Sequence, residues 1–269
     1  MTSVDLRFID SVSLPVVFLA VVAITLAAIA VGFLVGRRHA NESNHGPVGA
    51  VVGATSGLLA FMLAFTFGGA ASRFDTRKEL LLEEVNAIGT TYLRAGLLLE
   101  PHRTNARTLL REYVDARASV AVDPEAANLA RRMAESEQIQ ARLWQDVAAM
   151  TTVERDSEVD GLYIASLNDV IDYHTRRVTV AFQYRVPPTI WVFLLLVTVL
   201  AMGALGYDFG LQGSRRYKVS AVLAVTFAAV IVLIADLDRP TQGFLKVSQQ
   251  PMLDLQKYMQ SEQATPKVP

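Results

Sequence analysis

The 269-residue chain contains no cysteine, which excludes disulfide frameworks, thiolate metal sites, cysteine nucleophiles and cysteine palmitoylation together. It also lacks net charge: 25 basic and 26 acidic residues leave −1, without the basic field that nucleic acid requires. Ionisable side chains are missing altogether from four long stretches, residues 14–35, 48–71, 187–206 and 219–235. Those stretches hold most of the apolar excess: the chain is 52% hydrophobic against 19% charged with a mean hydropathy of +0.31, too apolar for an ordinary soluble chain. A hydrocarbon core about 30 Å thick needs roughly 20 helical residues, so each stretch can span it, the last with Asp236 at the interface. Unpaired backbone groups are too costly in lipid for anything but helices here.

No basic n-region precedes the first stretch, and Arg37 and Arg38 follow it in place of a small-residue cleavage site, so it reads as a retained membrane helix. The expected fold class is all-α integral membrane: a first hairpin over 1–71, a helical extramembrane insert over 72–186, a second hairpin over 187–235 and a polar C-terminal tail over 236–269. The tail's Gln, Pro and Lys content predicts partial lack of structure. Within the insert, Leu80, Leu81, Val85 and Ile88, then Leu109, Leu110, Tyr113 and Val114, then Ile139, Leu143, Trp144 and Val147 recur at helical spacing. Breaks are expected at Glu100-Pro101, at Asp123-Pro124, near Asp160-Gly161 and at Pro187-Pro188, giving three or four long helices. Only Gly89 and Gly96 weaken the stretch from Gly69 to Pro101, so the second span is predicted to leave the membrane as one continuous helix.

Basic residues set the orientation. Arg37, Arg38, Arg215, Arg216 and Lys218 place the two short loops in the cytoplasm and the insert with both termini outside the cytoplasm. Arg73, Arg77 and Lys78 vote the other way, but they are interleaved with Asp75, Glu79, Glu83 and Glu84.

Gly49, Gly53 and Gly57 form a G-x-x-x-G row on the second span, suited to close helix packing either against the first span or between subunits. Phe61 and Phe65 continue the row at the same spacing, each step drifting about 40° around the helix. They fit an apolar constriction or ordinary lipid and core packing; Thr66, Thr55 and Ser56 offer hydroxyls to a pore. The missing intramembrane charges weigh against a proton relay or ion-coupled transporter. No metal-ligand spacing joins His39, His45, His102 and His174, and in a helix His174 lies about 140° from Asp169 and about 160° from Asp172, so a solvated helix is expected there and no metal site. No nucleophile elbow, P-loop or dinucleotide glycine pattern occurs, so neither an enzyme nor a cofactor is expected. Arg73 and Arg77, one turn apart beyond the apolar run, are either pairing partners for neighbouring carboxylates or, repeated around an oligomer, an electrostatic mouth that concentrates anions.

The run Phe65-Thr66-Phe67-Gly68-Gly69-Ala70-Ala71-Ser72-Arg73-Phe74-Asp75-Thr76-Arg77, followed by Glu83-Glu84-Val85-Asn86-Ala87-Ile88-Gly89-Thr90, resembles the bacterial membrane family carrying the bestrophin-like domain. The ending Asp236-Leu237-Asp238-Arg239-Pro240, with Gly243, Val247 and Gln250-Pro251, resembles that family's C-terminal signature. More distantly, Ser72-Arg73-Phe74 with Arg77 and Asn86 is similar to the pattern that follows the pore-lining helix of true bestrophins, although Phe74 and Asp75 stand where those carry tryptophan and Glu-Gly. True bestrophins are pentameric anion channels with an apolar neck and a cytoplasmic helical part. The likeness implies a bacterial inner-membrane homo-oligomer passing small anions, Phe61 and Phe65 at the neck. The rival is a non-conducting scaffold or sensor whose insert binds a partner protein.

Overall fold

The computed structural model describes residues 12–40, 47–122, 126–150, 157–213, 217–240 and 243–264. Eight α-helices are described: α1 Leu14–His39, α2 Val48–Ala95, α3 His102–Val122, α4 Ala126–Met150, α5 Glu158–Phe182, α6 Pro188–Leu211, α7 Tyr217–Asp238 and α8 Gln250–Ala264. No strand occurs among the described residues. Among those residues four helices, α1, α2, α6 and α7, are long and apolar enough to cross a membrane. The chain divides into two compact units, with α2 running unbroken from one into the other.

The first unit, residues 12–74 and 185–245, holds the spans. Its outward surface is itself apolar: Leu19, Val31, Leu34, Val192, Phe193, Leu200 and Val222 are exposed, which makes sense only where lipid is the solvent. Inside, α1 lies against α6 and α7. Glycines make this possible. A Cβ on Gly32 would sit 2.0 Å from the Gly203 carbonyl oxygen, and one on Gly206 only 2.1 Å from that of Ile29. Gly36 and Gly210 meet equally close backbone. Buried threonines satisfy their hydroxyls within their own helices, Thr25 donating to the Val21 carbonyl and Thr198 to that of Leu194, each at 2.7 Å.

The second unit, residues 75–184 and 246–264, is a helical bundle around Tyr92, Leu98, Leu110, Tyr113, Leu143 and Leu167. It contains the polar part of α2 together with α3, α4, α5 and α8, and α3 packs against both α4 and α8. The break expected near Asp160-Gly161 falls just before that pair, between Met150 at the end of α4 and Glu158 at the start of α5. Ser157 caps α5, its hydroxyl accepting from the Asp160 amide at 3.4 Å, so Asp160 and Gly161 lie inside the first turn, where acidic residues suit the helix dipole. The Asp123-Pro124 break falls outside the described residues. Part of the tail is helical: α8 buries Met252 and Met259 in the core, while Gln256 donates to Asp115 at 2.7 Å and Glu262 pairs with Arg107. Gln, Pro and Lys set the tail's average, but the apolar residues at 252, 255 and 259 carry a helical period that average hides.

Candidate functional site

Along the apolar part of α2, Leu59, Leu63, Thr66 and Ala70 are buried at steps of four and three, which fixes the face turned toward the other spans. The glycine row and the two phenylalanines lie elsewhere. Phe61 and Phe65 are 68% and 74% exposed, their rings stacked with centroids 6.5 Å apart. A Cβ added at Gly49, Gly53, Gly57 or Gly68 would meet nothing within 4 Å. Packing of the row on the first span is therefore not what the protomer uses; the close contact within the chain is made by Gly32 and Gly36 against Gly203, Gly206 and Gly210. The spacings Gly32-x-x-x-Gly36 and Gly206-x-x-x-Gly210 were legible signals for it. Thr66 does not join the phenylalanines. It is buried, and its hydroxyl donates to the Met62 carbonyl at 2.7 Å.

Where the spans end, two carboxylates organise the backbone. Asp238 accepts from Arg185 Nε at 3.2 Å and from the Val186 amide at 2.9 Å, and Arg73 Nε stands 3.9 Å away. Arg73 thus shares its charge with a buried aspartate, while Arg77 is half-buried on the next turn. Asp236 accepts from the amides of Phe244 and Leu245 at 2.9 and 3.1 Å. Gly243, at φ +130°, lets the chain fold over that carboxylate, since a Cβ there would lie 2.0 Å from Asp236 Oδ1. Arg239 donates to the Val12 carbonyl at 2.6 Å. The Asp-x-Asp-Arg and Gly243 elements of the C-terminal signature are thereby accounted for as the clasp of this unit.

The densest polar cluster lies in the other unit and was not anticipated. Glu84 is fully buried; its carboxylate pairs with Arg177 and with Arg117 at 3.1 Å, and accepts from the Tyr113 hydroxyl at 2.9 Å. That hydroxyl also lies 3.0 Å from His174 Nδ1 and accepts from Gln140 at 3.2 Å. Arg177 reaches on to Gln249 at 3.4 Å. His174 is therefore not on a solvated face but 3% exposed, because its partners come from other helices and not from Asp169 or Asp172. Only the burial of polar residues at core periods of α2, α3 and α5 could have revealed this hub in sequence.

Electrostatics follow from the geometry. Burial pushes the Glu84 carboxyl up, but the Arg117 and Arg177 cations outweigh it and bring it to about 2. Burial, reinforced by Arg117, lowers the His174 imidazole from 6.5 to about 4 against the opposing pull of Glu84. One carboxylate, two guanidiniums, a neutral imidazole and a neutral phenol make a buried hub with an excess positive charge. Since His174 is depressed on folding, its stabilisation is complete above the unfolded value of 6.5 and declines as pH falls toward 4. Thermal unfolding of the full chain, followed by Trp144 fluorescence, is expected to lose roughly 3 kcal/mol across that window. His174→Gln should flatten the slope; an unchanged slope would assign it to other groups.

Among the described residues these features define an all-helical membrane protein with four candidate spanning helices and a second helical unit. Residues 19–252 match the Bestrophin-like domain, and the chain belongs to that family. The fold is that of a bacterial bestrophin homologue from Klebsiella pneumoniae. A tryptophan-to-alanine variant of it aligns with TM-score 0.70 at 15% identity, covering 94% of this chain and 99% of that one. The same homologue solved by zinc phasing aligns with TM-score 0.68 at 16% identity, covering 94% and 100%. No curated protein matches in sequence.

Proposed function

We propose that the chain is a passive anion channel of the bacterial inner membrane and not an enzyme, a homo-oligomer assembled around α2. Phe61 and Phe65 form its apolar neck and Arg73 and Arg77 its electrostatic mouth. The observation that carries this reading is the outward surface of α2: two stacked, exposed phenylalanines that follow, along a slowly drifting row, glycines at which an added Cβ would meet none of the described residues within 4 Å. Such a face suits a subunit contact at Gly49, Gly53 and Gly57 and a pore constriction that gates by dewetting further along. Family membership supports it, through the resemblance to true bestrophins. The four spans enter the bilayer as two successive hairpins, and the basic short loops hold the insert and both termini outside the cytoplasm.

Purified oligomer in planar bilayers should carry chloride current, and Phe61→Ala with Phe65→Ala should raise it several-fold by removing the apolar barrier. A demonstrated oligomer that passes no current across voltage and calcium would leave the scaffold reading. A phosphatase reporter after Val186 should be active outside the cytoplasm; activity of a cytoplasmic reporter there would reverse the orientation.

A further inference from the structure

Within the membrane unit, α1, α2 and α6 enclose an open groove of about 840 Å³ lined without a single charged side chain. Ala27, Val31 and Val35 form one wall, Val52 another, and Leu200 and Ala204 the third. Its floor is low because Gly32 and Gly203 let the α1 and α6 backbones touch, leaving no side chain to fill the space. We infer that this groove holds one acyl chain of an anionic phospholipid, with the headgroup at Arg37 and Arg38.

Two observations select that occupant. The first is length. The groove runs along α1 from Ile24 to Val35, about 16 Å at 1.5 Å per residue, which matches the hydrocarbon depth of one leaflet and not of two. A helix from a second copy would be expected to follow α1 through both leaflets. The second is charge. The groove starts at mid-helix and ends where α1 terminates in Arg37, Arg38 and His39. Arg38 continues the wall of Val31 and Val35 at helical spacing, and both arginines are exposed. Tyr207, also in the lining, stands with its ring 6.2 Å from that of His39, an aromatic pair at headgroup level. An apolar slot gains little over bulk lipid from chain burial alone, so selectivity must come from the cations; basic pockets between spanning helices recognise anionic headgroups in this way.

The test is lipid retention by the full-length protein, extracted in mild detergent from vesicles of equal phosphatidylglycerol and phosphatidylcholine and weighed by native mass spectrometry. Phosphatidylglycerol should be retained at least tenfold over phosphatidylcholine, since each basic residue near the surface contributes roughly fivefold. Arg37→Gln with Arg38→Gln should bring the ratio near unity, whereas Arg37→Lys with Arg38→Lys should keep it. Ala27→Trp, which fills the slot from an exposed position, should release both lipids. Equal retention by the wild-type chain, or a preference that survives loss of both arginines, overturns the inference. So does a change in subunit number on Ala27→Trp with lipid retention intact, which would make the groove a contact between copies. Each readout is independent of whether the protein conducts.

Discussion

Replacing Glu84 by alanine is expected to destabilise the extramembrane bundle by about 3–5 kcal/mol, because it strands two buried guanidiniums with no counter-charge. The geometry makes the effect large. Arg117 and Arg177 are held by the same carboxylate, and Tyr113 would lose its acceptor at the same stroke. Glu84→Gln should be nearly as harmful, since it keeps the shape but not the charge. Removing the cations too, as in Glu84→Leu with Arg117→Met and Arg177→Leu, should recover most of the loss, because buried ion clusters commonly tolerate apolar replacement. Chemical denaturation of the full chain followed by Trp144 fluorescence measures all three. A loss below about 1 kcal/mol for the alanine variant would mean that water, and not Glu84, compensates the arginines.

Gly206→Val should be among the most damaging changes in the membrane unit. The new Cβ would lie 2.1 Å from the Ile29 carbonyl oxygen, with the Ile29 Cα and carbonyl carbon both 2.8 Å away. Backbone cannot rotate aside as a side chain can, so α1 and α6 must part along their contact. Overpacking of this kind costs about 3 kcal/mol or more. The yield of folded, non-aggregated protein after detergent extraction should fall steeply for Gly206→Val. Gly53→Ala, where a Cβ meets open space within the protomer, should leave that yield unchanged. If Gly53→Ala disrupts only the oligomer, the glycine row on α2 lies between subunits. If Gly206→Val is extracted at the wild-type level, the α1–α6 approach is looser than described.

The spans, the single long α2 and the helical character of the insert were legible because each is written in contiguous sequence: uncharged runs of membrane length, a helix with no stop between Gly69 and Pro101, repeats of three and four. Charge partners were not. Glu84 meets Arg117 and Arg177 across 33 and 93 residues, and no local spacing announces a pair that distant. Judging His174 against its sequence neighbours put it on a polar face, when the group that matters to it is Tyr113, 61 residues away. For α2 the sequence singled out Phe61 and Phe65 but not the direction in which they point. Periodicity gives a face, and only the burial of Leu59, Leu63, Thr66 and Ala70 tells which face is turned inward. Thr66 went to the wrong side of that division, since a hydroxyl in a span reads as a pore lining until its i−4 carbonyl is seen to accept from it.

The hydrogen bond from Arg239 to the Val12 carbonyl joins residues 227 positions apart, at the opening of the first span and just beyond the last. During synthesis the first two apolar helices are therefore made long before the residue that ties down the start of α1 has left the ribosome. Asp238, which gathers Arg73, Arg185 and the Val186 amide, arrives in the same late segment. The early helices therefore wait with unclosed ends until the last of the apolar helices and the residues just beyond it are made.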